Sequence, residues 1–177
     1  MGMKSNSVIQ RLTYCALCTA LLSVCAWLTI PLTVPVTMQS FAVFCTLLLL
    51  GGKQAWMAVA AYLMLGAVGL PIFHGFQGGI GILLGPTGGY LFGFLLMAAL
   101  EWLLDTMMPQ RTMRARSIAM GIELLCCYGL GTVWYCLLME GTSIRTALMI
   151  GVIPFVLPDL AKLVLAFGVS RAIKKRI

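Results

Sequence analysis

Apolar residues run along this chain in long blocks, broken only by short polar or glycine-rich stretches. Between Leu12 and Gly52 there is no charged residue, and from Gln54 to Leu100 the only side chain that titrates near neutrality is His74. Soluble cores do not run that long, whereas a helix crossing a bilayer needs about 20 such residues. The blocks predict six membrane-spanning helices, over about residues 12–30, 37–50, 55–70, 87–104, 118–139 and 146–170. Pro31 and Pro35 close the first, Thr37 is placed to cap the second, and Gly51 with Gly52 stops it. The glycine-dense stretch 69–89, with Pro71 and Pro86, predicts a helix-poor loop. The expected fold is therefore an all-α integral membrane protein, one six-helix domain over residues 1–177.

Composition agrees: 61% hydrophobic and 10% charged residues exclude a soluble globular domain. Charge then orients the helices, because cytoplasmic loops carry the excess of Lys and Arg. Lys4, Arg11, Lys53, Arg111, Arg114, Arg116, Arg171, Lys174, Lys175 and Arg176 fall on one side of the predicted topology, and only Arg145 on the other. Ten against one places both termini in the cytoplasm and the loops at about 31–36, 69–86 and 140–145 outside. The net charge of +7 is thereby explained by topology and calls for no nucleic-acid partner. The first span has no small-residue cleavage site and is expected to be retained, in a multi-pass protein of the cell membrane.

Two charges break the pattern. Asp159 and Lys162 lie within the last span, where each costs roughly 2.5 to 3.5 kcal/mol unless partnered or used. Their i, i+3 spacing puts both on one helical face, able to pair with each other or to grip one ligand. Other candidates for chemistry are weaker. The seven cysteines all fall within predicted spans, and the C-x-x-C of Cys15 and Cys18 lacks the polar flanks and second ligand pair of a redox or zinc site. His74, alone of its kind, has no partners for a metal site or a catalytic dyad and reads as a loop residue or a pocket wall. Gly52 and Lys53 end like a P-loop, but Leu47 and Gln54 stand where Gly and Ser or Thr are required. Glu101, Asp105 and Glu123, close to Arg111 and Arg116, are expected at a solvated or ion-paired boundary. Gly89 and Gly93 are spaced for close helix packing, and Ala16 and Ala20 either pack inward or offer a smooth face to another membrane protein. The stretch from Gly75 to Tyr90 is either one wall of a ligand pocket or a cap folded onto the helices.

Taken together, V-P-V-T-M-Q-S-F at 34–41, Y-L-M-L-G-A-V-G-L-P-I-F at 62–73, Gly78 and Gly79 followed by G-P-T-G-G-Y at 85–90, and P-D-L-A-K at 158–162 resemble the BioY family. These are the biotin-binding S components of energy-coupling-factor (ECF) transporters, and the resemblance spans about residues 8–175 in order and spacing. It implies six helices, an outside-facing vitamin site, partnership with a transmembrane T component and two ATPase subunits, and no enzyme activity or cofactor. Ala16 and Ala20 resemble the small-residue motif through which S components meet the T component. Biotin carries a carboxylate tail and an uncharged ureido ring, so its site needs a cation, an acceptor and amide-like groups around an apolar slot. On this reading Lys162 either pairs with the carboxylate or neutralises Asp159 while Asp159 accepts from the ligand. Thr37, Gln39 and Gln77 are expected to supply further polar contacts, Gly78 and Gly79 a close backbone approach, and Tyr90 with Phe73 the walls. Alternatives of the same fold are an S component for another vitamin and a stand-alone biotin facilitator. An intramembrane enzyme is a poorer fit, since no nucleophile and base have motif spacing.

Overall fold

A computed structural model describes residues 7–30 and 36–175. Helices α1 (Val8–Trp27), α2 (Gln39–Leu50), α3 (Gly52–Ala67), α4 (Ile80–Leu83), α5 (Gly88–Met107), α6 (Met113–Leu138), α7 (Ile144–Gly151) and α8 (Ile153–Lys174) make up most of it. Four segments are long and apolar enough to cross a membrane: Val8–Trp27, Gly88–Met107, Met113–Leu138 and Ile144–Lys174. Helix α2 has 12 residues and α3 has 16, each below the ~20 that span a hydrocarbon core without help.

Helix α2 sits at the centre. Nine of its residues are buried, which is why its sequence is apolar on every side rather than striped. It packs on α1, α3 and α8, while α3 packs on α5 and α5 on α6. Glycines set the last of these contacts. A Cβ on Gly89 would collide with Trp134, and one on Gly93 with Cys127, so α5 and α6 approach at backbone distance. Cys15 and Cys18 are free thiols packed between α1 and Ala58 of α3.

The structure departs from the expected elements in four places. Residues 29–30 (β1, Thr29–Ile30) and 36–37 (β2, Val36–Thr37) pair antiparallel, Thr29 opposite Thr37, so the chain is not purely helical. The prolines expected to end the first span, Pro31 and Pro35, lie outside the described residues. Thr37 belongs to β2 and Met38 is the N-cap of α2, yet the Thr37 hydroxyl still accepts from the Gln39 N–H at 3.3 Å, which is capping work one residue early. Helix α6 begins at Met113, capped by the Thr112 side chain, five residues before the expected start. Lastly, the span expected over 146–170 is two helices, broken at Val152 (φ −126°, ψ −57°). Pro154 has no N–H to continue the α7 ladder, and Pro158 removes a second bond inside α8, one residue before Asp159.

At one end of the helices Glu101 and Asp105 are ion-paired as expected, whereas Glu123 is buried with no ion pair among the described residues. Glu101 and Glu123 are 0% and 1% exposed. Arg111 and Arg116 both reach Glu101 and Asp105, at 2.8 to 3.1 Å. Asp105 Oδ2 also accepts the Gly52 N–H at 2.8 Å, fixing the start of α3 to α5.

Candidate functional site

The buried charges of α8 face a cavity bounded by the start of α2, by α5, by α6 and by the break between α7 and α8. Thr37, Gln39, Ser40, Tyr90, Tyr128, Asp159 and Lys162 provide its polar lining, and Leu91, Phe94, Leu124 and Phe155 its apolar walls. Asp159 and Lys162 are 4% and 6% exposed and touch at 2.8 Å. Their remaining valences are filled with care. Lys162 Nζ also donates to the Thr37 carbonyl at 2.7 Å and to Ser40 Oγ at 3.0 Å, which uses all three ammonium protons. Asp159 Oδ1 accepts from Ser40 at 2.7 Å, and Oδ2 accepts from the Tyr128 hydroxyl at 2.7 Å. One lone pair of Oδ2 is left over. The result is a neutral, hydrogen-bonded ion pair, the form in which buried charge is tolerated inside a membrane.

Tyr90 is held differently. Gly131 and Gly151 leave room for its ring and hydroxyl, since a Cβ on either would collide with them. Its hydroxyl is buried and makes no hydrogen bond among the described residues, with the equally unpaired Thr132 hydroxyl close by. Gln39 donates from Nε2 to the Tyr62 hydroxyl at 3.0 Å, and Tyr62 passes the bond on to the Ile72 carbonyl at 3.0 Å. The Gln39 amide is thereby oriented, and its Oε1 has no hydrogen-bond partner among the described residues.

Of the nine residues expected at a ligand site, the structure gathers Thr37, Gln39, Tyr90, Asp159 and Lys162 around this cavity. The other four build the loop beside it. Phe73 is fully buried, its ring seated over Gly66 and edge-on to Tyr62 at 5.4 Å. Gln77 is exposed and pairs through its carbonyl with the Phe73 N–H at 2.9 Å. Gly78 is exposed as well, and Gly79 takes φ 100°, a conformation that favours glycine, as its N–H meets the Gly66 carbonyl at 2.7 Å. The loop is fastened to α1 by Phe76 stacked on Trp27 at 4.9 Å and by Trp27 Nε1 donating to the Pro71 carbonyl at 3.0 Å. His74 reaches the cavity from this loop, and burial pushes its imidazole below the usual pKa, favouring the neutral ring.

The BioY family model matches residues 3–177. The chain belongs to the BioY family. Among its relatives, "Biotin transporter BioY" of Thermotoga maritima is 42% identical over 168 residues, covering 94% of this chain and 97% of the relative. "Biotin transporter BioY2" of Lactococcus lactis subsp. cremoris is 36% identical over 93% of this chain and 91% of its own. A crystal structure of the S-component for biotin from an ECF-type ABC transporter matches with a TM-score of 0.86 and 26% identity, over 98% of this chain and 95% of that one.

Sequence reasoning missed three hydroxyl-bearing members of this BioY-family cavity, Ser40, Thr87 and Tyr128. Ser40 follows Gln39 in the quoted 34–41 run, but nothing in a lone serine says that it will bridge Lys162 and Asp159. Tyr128 had a fainter signal still. It lies one turn from Leu124 in an apolar helix, and only knowing that α6 and α8 face each other across the cavity reveals that its hydroxyl meets a carboxylate.

Proposed function

We propose that this protein is the substrate-binding subunit for biotin uptake, capturing biotin outside the cell and delivering it through an ATP-driven ECF transporter. The observation that carries this reading is the neutral Asp159–Lys162 pair in an otherwise apolar cavity of a BioY-family chain. Asp159 Oδ2, with one lone pair to spare, and Lys162 Nζ beside the same carboxylate complement the adjacent N–H and C=O of an uncharged ureido ring. A carboxylate placed there would meet Asp159 and be repelled. We therefore assign the ureido N–H groups to Asp159 Oδ2 and Gln39 Oε1, and its oxygen to the unpaired Tyr90 hydroxyl and to Lys162, which gives up its Ser40 bond to reach it. The carboxylate tail then runs toward Thr87 and the start of α5, which has no side-chain cap and carries the positive end of the helix dipole. The protein is a carrier subunit, and no enzyme activity or cofactor is assigned to it.

Calorimetry on ligand-free protein in detergent is expected to give one biotin per chain without ATP. Neutralising the tail as the amide is expected to weaken binding less than replacing the ureido oxygen, as in 2-iminobiotin. The reverse order would place the carboxylate at Lys162, and binding of another vitamin in biotin's place would overturn the assignment.

The topology proposed is six spans in the cell membrane, counting α2 and α3 with the four longer segments, and both termini cytoplasmic. The side of Lys53, Arg111, Arg114, Arg116 and Arg171 supports it, as does their distance along the helices from the cavity. Loops at about 31–36, 69–86 and 140–145 then face outside. A cysteine at Gln77 in a background without native thiols is expected to react with an impermeant reagent added outside intact cells. Labelling only in inverted vesicles would reverse the orientation.

The remaining proposal concerns partners, a transmembrane T component and two ATPase subunits. Ala16 and Ala20 are both exposed on α1, while Cys15, Cys18, Thr19 and Leu22 turn inward. That placement supports the smooth-face reading of the alanines over internal packing.

A further inference from the structure

Beneath the cavity, one turn along α6 from Cys127, Glu123 is 1% exposed, and neither of its carboxyl oxygens has a hydrogen-bond partner among the described residues. Its neighbour within hydrogen-bonding reach is the carboxyl of Glu101, itself fully buried and with Oε2 unpaired. The cations around them are already committed. Arg111 and Arg116 each hold Glu101 and Asp105, so two guanidinium groups balance two carboxylates and Glu123 is left over. From α8, Lys174 faces Arg116 and Asp105, and from α3, Lys53 lies over the Trp102 ring; neither forms an ion pair with Glu123. An ionised Glu123 would be an unpaired buried charge pressed against a second carboxylate.

We propose that Glu101 and Glu123 form a proton-binding site, in which Glu123 is a neutral carboxylic acid donating its O–H to Glu101 Oε2. One shared proton partners the orphaned Glu101 oxygen and brings the cluster to zero net charge. A hard metal cation fits worse, because it needs about six oxygen ligands where three unpaired carboxyl oxygens are present among the described residues, and it would meet the unpaired Nε and Nη1 of Arg111. The proton ties α5 to α6 just where Asp105 ties α5 to α3. Removing it sets like charges against each other in the same contact.

The test uses the full chain in detergent. Infrared spectra at neutral pH are expected to show the carbonyl stretch of a protonated carboxylic acid that is lost in Glu123→Gln, a neutral isostere still able to donate to Glu101. Because the folded protein keeps a proton that the unfolded chain releases above the ordinary glutamate pKa, the unfolding constant of the parent should rise by up to tenfold per unit between about pH 5 and 8, below the range in which unfolded cysteines titrate. Glu123→Gln should lose that rise. A parent spectrum without the band, together with equal pH slopes for parent and variant, would overturn the proposal and leave Glu123 ionised against Arg111. If the variant fails to fold, isotope labelling of glutamate in the parent decides: a shifted band supports the shared proton, and an unshifted or absent one rejects it.

Discussion

Lys162→Ala is expected to weaken biotin binding by at least about tenfold, roughly 1.4 kcal/mol. The lysine satisfies the Thr37 carbonyl, Ser40 and Asp159 at once, so its loss leaves a 4% exposed carboxylate with no cation as well as removing a ligand contact. Asp159→Ala should cost as much, since it strands Lys162 and the Tyr128 hydroxyl together. The double variant separates two explanations. A pair that only supports the fold would recover binding once both charges are gone, because no charge is then left unpaired. A pair that holds the ureido ring would not. Calorimetry on the parent, both single variants and the double variant reads this directly, and recovery in the double variant would move the site away from the pair.

Ala16→Trp is expected to leave biotin affinity within about twofold of the parent while lowering ATP-driven uptake by about tenfold or more. Apolar side chains gain little by leaving lipid, so two membrane helices associate mainly where small residues let their backbones approach. Ala16 and Ala20 give α1 such a strip on a surface otherwise carrying Leu12, Leu17 and Val24, all about half exposed or more. An indole at position 16 would hold a partner helix off without touching the cavity, to which α1 contributes no lining. Copurification of the T component should fall in parallel with uptake. Unchanged uptake would place the contact on another helix.

Much of this was legible in the sequence because a bilayer imposes simple rules. Charge-free blocks had to be helices, from which α1, α3 and α5 follow; an aspartate and a lysine on one helical face had to be partnered or used, and the structure shows them paired. The misses have physical causes. The break at Val152 lies in an unbroken apolar stretch, where hydropathy carries no mark of an interrupted ladder and Pro154 alone hints at one. Glu101 and Glu123 looked like boundary residues because Arg111, Arg114 and Arg116 lie between them in sequence, yet the carboxyls go inside. Phe73, Gln77, Gly78 and Gly79 sit in a loop whose course depends on Trp27, 44 residues before the Pro71 carbonyl to which it donates. Local pattern does not encode such contacts.

The Asp159–Lys162 pair draws its other partners from the opposite end of the chain: Ser40 is 119 residues from Asp159, and Thr37 is 125 from Lys162. During synthesis α2 is therefore made long before the helix that completes its polar contacts. Until α8 arrives, the membrane holds a half-built pocket with Ser40 and the Thr37 carbonyl unanswered. The two late charges carry their own remedy, since at i, i+3 they neutralise each other inside one helix before any neighbour is found. Completion of the proposed binding pocket is then the closing step of biogenesis, and a nascent chain halted before residue 159 is expected to be membrane-inserted yet unable to bind.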